Sequence, residues 1–182
     1  MKHLLFTVML CIAVSEISAQ RYMPGMCGLQ ITAGVAPKNG FYSSFAFSQY
    51  TKRADRWLFG AEYLEKRHPY EDTNIPQSVF TVDAGYYLKF LSDSRKTFFL
   101  SLGASATAGY ETVNWNNKVL FDGATINNSD NFLYGGALTL ESEIYLSDRV
   151  VLIANARERL LAGSSVGKFH TQFGLGIKVI IK

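Results

Sequence analysis

Glu62, Asp83, Glu141 and Glu143 are matched in number by Lys89, Arg157, Arg159 and Lys178, in a chain where only 18% of residues are charged. Carboxylates and cations set two residues apart, as in Glu141/Glu143 and Arg157/Arg159, point to one side of an extended backbone. Such groups can pair ionically in a dry interior, ligate a metal or exchange protons with a substrate. The last two need companions the sequence does not supply. His3, His68 and His170 are the three histidines, and Ser43, Ser101, Ser164 and Ser165 offer hydroxyls, but no spacing joins a nucleophile to a base. No Cys/His spacing suits zinc and no phosphate-binding glycine loop occurs. Asp122-Gly123-Ala124 with Asn127-Asn128-Ser129-Asp130 is turn chemistry, because a calcium loop needs a denser run of carboxylates. We therefore expect no catalytic residue, metal, cofactor or small-molecule substrate. The reading left is a structural charge network of Glu62, Asp83, Glu141, Glu143, Arg157, Arg159 and Lys178.

The elements that must position these groups are strands. Phe80, Val82, Ala84, Tyr86, Leu88 and Phe90 alternate with Thr81, Asp83, Gly85 and Lys89, a period of two sustained beyond an ordinary soluble strand. Eight such segments are predicted, near 28–36, 41–51, 56–67, 78–91, 97–111, 132–146, 149–161 and 168–181. Their links alternate in length. Those at 52–55, 92–96 and Ser147-Asp148 are tight, those at 68–77 and 112–131 are long, Pro37-Lys38-Asn39-Gly40 is short, and 162–167 is intermediate. The expected fold is all-β, an eight-stranded antiparallel barrel of outer-membrane type, with the tight turns in the periplasm.

Each strand offers one apolar face and one small or polar face. Leu138, Leu140, Ile144 and Leu146 oppose Thr139, Glu141 and Glu143, and Phe169, Phe173, Leu175, Ile177 and Val179 oppose His170, Gln172, Gly174, Gly176 and Lys178. Eight strands enclose room only for side chains. The glycine-rich, two-signed face is therefore placed inside and the bulky apolar face toward lipid, which closes the bore with ion pairs. Glu158 falls on the lipid face and is expected at the rim, where its strand would end. Pairing about the Ser147-Asp148 turn sets Glu143 opposite Leu152 and Glu141 opposite Ala154, so Arg157 and Arg159 reach those acids diagonally or turn to another strand. A periplasmic ligand-binding barrel of lipocalin type, with the apolar face inward, is the alternative from a different class.

Lys2-His3, the apolar run Leu4 to Val14 and the exit Ser15 to Ala19 read as a cleavable signal peptide over 1–19, since eleven apolar residues cannot cross a bilayer that needs about 20 in a helix. Residues 20–182 then form a single barrel domain, exported to the outer membrane and in contact with its lipid. The signal takes Cys11 with it and leaves Cys27 as a small buried or wall-facing thiol. A formal net charge of +3 without a Lys/Arg cluster gives no reason to expect direct nucleic-acid contact. The link 112–131 carries Trp115, Val119, Leu120 and Phe121, either a contact surface or an extended hairpin.

Four stretches carry a family resemblance: Arg21-Tyr22-Met23-Pro24-Gly25-Met26-Cys27-Gly28-Leu29-Gln30, Trp57-Leu58-Phe59-Gly60-Ala61-Glu62-Tyr63-Leu64, Phe132-Leu133-Tyr134-Gly135-Gly136 and Lys168-Phe169-His170-Thr171-Gln172-Phe173-Gly174-Leu175-Gly176. The chain resembles TraO, a transfer protein family of conjugative transposons. The resemblance implies a part in the mating apparatus beside other conjugation proteins, and it supplies no catalytic motif. It also stands against a stand-alone surface barrel for adhesion or stress resistance, which the residue pattern alone permits. The end Ile180-Ile181-Lys182 departs from the terminal aromatic typical of outer-membrane strands.

Overall fold

A computed structural model describes residues 24–37, 39–70, 73–113, 130–164 and 169–181. Eight antiparallel strands close into a barrel: β1 (Cys27–Ala36), β2 (Gly40–Tyr50), β3 (Arg56–Tyr70), β4 (Thr73–Ser92), β5 (Phe98–Val113), β6 (Asn131–Tyr145), β7 (Val150–Ala162) and β8 (Phe169–Ile181). Each strand pairs with its chain neighbours, and β1 closes the ring on β8 from Cys27↔Ile181 to Val35↔Phe173. Within the ring, closure leaves no free sheet edge. The signal segment and most of 112–131 lie outside the described residues.

Tight connections gather at one end. A single 3-10 turn at Lys52–Ala54 joins β2 to β3, Asp93 to Thr97 joins β4 to β5, and Leu146 to Arg149 joins β6 to β7. In the β4–β5 turn, Asp93 accepts hydrogen bonds from the Thr97 hydroxyl (2.5 Å) and from the backbone N–H groups of Thr97 (2.7 Å) and Phe98 (2.9 Å). At the opposite end β3 and β4 run past the 68–77 link expected from sequence, pairing from Arg56↔Tyr87 up to Tyr70↔Thr73. Pro76 sits within this extension because a strand outside the closed ring tolerates a missing donor.

The register is staggered. Arg56 is level with Tyr87, Gly103, Thr139, Arg157 and Gln172 in turn, and the β8–β1–β2 pairings carry that line back to β3 at Lys66 instead of Arg56. A stagger of this size tilts strands by about 35–45° and brings residues far apart in sequence to one height in the bore.

The two faces separate cleanly. Ile31, Val35, Val82, Leu138, Leu175 and Phe169 point out and are exposed, while Glu62, Asp83, Glu141, Glu143, Arg159, Gln172 and Lys178 are buried in the interior. Tyr63, Phe80, Tyr110 and Phe132 are successive register partners and form an outward aromatic ladder toward the long-loop end. Trp57 meets Tyr86 edge to face near the turn end. The interior is less uniformly small than the sequence reading holds. Tyr50, Phe99, Tyr145, Val151 and Ile180 plug the turn end with Met26 and Ala54, and Tyr42, Leu64, Val79, Leu133 and Leu161 form a second apolar ring toward the loops.

Candidate functional site

Between those apolar plugs lie two charged layers. In the layer nearer the turns, Arg56 at the start of β3 reaches across the bore to β6, with Nη2 2.6 Å from Glu141 and Nη1 3.1 Å from Glu143. Lys178 on β8 pairs with the same Glu143 and stands 3.7 Å from Glu141. The Tyr50 hydroxyl donates to Glu143 (2.6 Å) and accepts from Lys178 (3.1 Å), and Ser101 accepts from Arg56 (3.1 Å). Two acids meet two bases, so the layer is neutral.

The second layer has the same balance. Arg159 on β7 holds Glu62 on β3 through both terminal nitrogens, at 2.6 and 3.0 Å, and reaches Asp83 on β4 at 2.8 Å. Arg157 adds longer contacts to Glu62 (3.3 Å) and Asp83 (3.4 Å) and donates to Thr139. Gln172 donates to Glu62 and Thr107 to Asp83. Forked guanidinium contacts of this kind fix geometry as well as charge.

Tyr87 couples the layers. The Arg56 guanidinium carbon lies 4.9 Å from the centre of its ring, and its hydroxyl accepts from Arg157 at 3.4 Å. The ring has room because β5 carries Gly103 opposite, where a Cβ would fall 2.5 Å from a ring carbon. Tyr42 is seated likewise: its hydroxyl donates to Asn155 (2.8 Å), and a Cβ on Gly174 would fall 1.9 Å from that oxygen. These glycines are seats for aromatic rings, the close approach that only a missing side chain permits.

All seven residues singled out from sequence thus lie in the bore, but their pairing differs from the expected one. Glu141 and Glu143 pair with Arg56 and Lys178, while Arg157 and Arg159 pair with Glu62 and Asp83. One reason is register: Glu143 opposes Ile153 and Glu141 opposes Asn155, one residue beyond the expected partners. The other is stagger, which lifts the arginine pair into the upper layer. Arg56 and Tyr87 were missed. Arg56 shares its parity with Leu58, Gly60 and Glu62, which could have placed it inside, and Tyr87 was hidden by its aromatic neighbour Tyr86. Lys89, expected inward, sits half-exposed beside a register shift between Lys89 and Leu91. Glu158 is corrected too, since β7 continues to Ala162 and does not end there.

Toward the loops, Lys66 Nζ meets His170 Nδ1 at 2.7 Å and Ser164 donates to Glu111 at 2.9 Å. Cys27 is a free thiol on the outward side of β1, 3.7 Å from the Gly25 carbonyl. Among the described residues no three His, Cys, Asp or Glu side chains are placed to hold a metal ion. The two layers cross-brace the bore, tying β3 and β4 to β6, β7 and β8.

Among solved structures, the chain is similar to Neisserial surface protein A, at 13% identity and TM-score 0.58, covering 85% of this chain and 94% of that one. It is also similar to the N-terminal β-barrel domain of Pseudomonas aeruginosa OprF, at 12% identity and TM-score 0.52, covering 86% and 98%. Likeness at those identities is one of fold, the eight-stranded outer-membrane-type barrel. No curated protein sequence matches the chain. The sequence profile of conjugative transposon protein TraO does match, over residues 23–181, and the barrel and both charged layers fall within that span. The chain therefore belongs to the conjugative transposon protein TraO family.

Proposed function

We propose that this chain is a non-enzymatic outer-membrane component of a conjugative DNA-transfer apparatus, a closed barrel that anchors and docks other transfer proteins. The observation that carries the reading is the family match over nearly the whole chain. The outward wall of Ile31, Val82, Leu138, Phe173 and Leu175 supports a place in lipid against the lipocalin-like alternative, whose apolar side chains would turn inward. In this reading residues 1–19 are a cleaved signal, 20–182 are one domain, and the tight turns face the periplasm. Two of the four candidate hydroxyls are engaged in the bore, with Ser101 accepting from Arg56 and Ser164 donating to Glu111, which supports a role without catalysis. The bore is filled by ion pairs and by Tyr42, Tyr50 and Tyr87, so DNA does not pass through it.

An in-frame deletion in a transposon-bearing donor, complemented in trans, tests the role. Loss of transfer with restoration by the complementing copy is the expected result, and unchanged transfer frequency would remove the conjugation role. Fractionation tests the location. The barrel should stay with the outer-membrane pellet through carbonate washing, whereas recovery in the detergent-free periplasm would return the lipocalin-like reading. Planar-bilayer recordings of the purified barrel should show no large stable conductance.

A further inference from the structure

Glu158 lies on the outward wall within the apolar belt. On β7 it is flanked by Ala156 and Leu160, and across the sheet it opposes Leu138 on β6 and Thr171 on β8. Leu160 and Ala162 continue β7 beyond it toward the loops, where their partners are Phe169 and Tyr134. The carboxylate is therefore set inward of that aromatic rim, with Ala156, Leu160 and Leu138 on three sides and Thr171 on the fourth. Thr171, half-buried on the wall, donates to the exposed carboxylate at 2.5 Å. One hydroxyl meets only part of a carboxylate's capacity to accept hydrogen bonds.

A carboxylate facing lipid costs stability, and ionisable groups at membrane depth mark interaction sites. On the outward faces of the strands the other charges among the described residues, Glu65 and Arg67, lie toward the loops, and the exposed Lys52, Arg53, Arg95, Lys96 and Arg149 sit in or beside the tight turns. Among the described residues the outward and turn lysines and arginines thus lie nearer the ends of the barrel than Glu158 does. The wall next to Glu158 on its turn side is indented, with Ala33 and Ala154 as a floor between Val35, Phe173 and Leu175. The shape suits a packed side chain and the charge suits a cation. We propose that the Glu158–Thr171 pair is the docking point for a membrane-spanning segment of another transfer protein, one that brings a lysine or arginine to this depth. The proposal rests on the reading of the chain as an outer-membrane part of the transfer apparatus.

The test uses Glu158→Leu and Glu158→Asp in the donor, each also made with a photo-crosslinking amino acid at Ala156. Glu158→Leu should leave the outer-membrane level of folded barrel unchanged, with an equal or higher melting temperature, because it removes a charge from the lipid face. Transfer should fall about tenfold or more, the loss of one buried charge partner in an interface. A crosslink to a different protein, present in the parent and in Glu158→Asp, should vanish, and the captured peptide should carry Lys or Arg in a membrane-spanning segment. Parental transfer and crosslinking in Glu158→Leu would overturn the proposal. So would an adduct of two barrels, no protein adduct in the parent, or an earlier-melting Glu158→Leu barrel. Should deletion of the whole chain leave transfer unchanged, the conjugation reading fails by itself, and the Glu158 dependence of the adduct still decides the docking site.

Discussion

Arg56 and Glu141 meet at 2.6 Å across the bore, from β3 to β6, with both side chains fully buried. Breaking such a pair by removing one partner leaves an uncompensated charge and costs about 3–5 kcal/mol, whereas removing both costs far less. Glu141→Ala should therefore lower the temperature at which the barrel loses its folded gel mobility. Arg56→Met/Glu141→Leu should recover most of that loss, because Lys178 and Glu143 remain as a matched pair. A double variant no better than the single would show that packing and not charge balance sets the cost.

Gly174 should tolerate no side chain while Tyr42 is present. Gly174→Ala drives a Cβ into the Tyr42 hydroxyl, and overpacking of this kind costs about 1–3 kcal/mol. Adding Tyr42→Leu should relieve the clash, so the two substitutions will be non-additive in a double-mutant cycle. Simple additivity of the melting shifts would count against the seat.

The β4–β5 turn should be acid-sensitive. The Thr97 hydroxyl, with the Phe98 and Thr97 backbone N–H groups, holds the Asp93 carboxyl below its ordinary range. A depressed carboxyl pKa contributes stability above the unfolded-state value and loses it as pH falls through the folded-state value. The melting gap between the parent and Asp93→Asn should thus be full at neutral pH and narrow as the pH drops below about 4. A gap that is constant over that range would mean the ionised form contributes nothing.

A charge placed on the outward wall should cost according to depth. Ile31→Arg, in the middle of β1's outward face, should destabilise the barrel in lipid by about 2–4 kcal/mol, and Gln49→Arg at the turn-end rim by about 0–1 kcal/mol. Equal urea-unfolding midpoints for the two in lipid vesicles would argue that this wall does not meet hydrocarbon.

Much of this architecture is legible in the chain because strand periodicity is a local property. The alternation through Phe80 to Phe90 and Phe169 to Ile181 gives the faces, and the tight links give the hairpins. The seven interior charges follow from parity. Their partners do not, because the stagger that sets Arg56 beside Glu141 and Lys178 is a property of the closed ring, and a one-residue error in register at the β6–β7 turn is enough to misplace a pair. Glu158 is the complementary case: periodicity gives its outward face, while the extent of β7 to Ala162, which decides that the strand does not end there, is not marked by any residue near it.

The charged layers also divide the chain into two unequal donors. Strands β1 to β4 supply Arg56 to the first layer and Glu62 and Asp83 to the second, and β5 to β8 supply Glu141, Glu143 and Lys178 to the first and Arg157 and Arg159 to the second. Each half alone would hold one net charge of one sign in the first layer and two of the opposite sign in the second, and the other half carries the mirror image. A half-assembled sheet in the membrane therefore exposes charge that only its own remaining strands can neutralise. Closure of β1 on β8 is thus what brings both layers to charge balance within one ring.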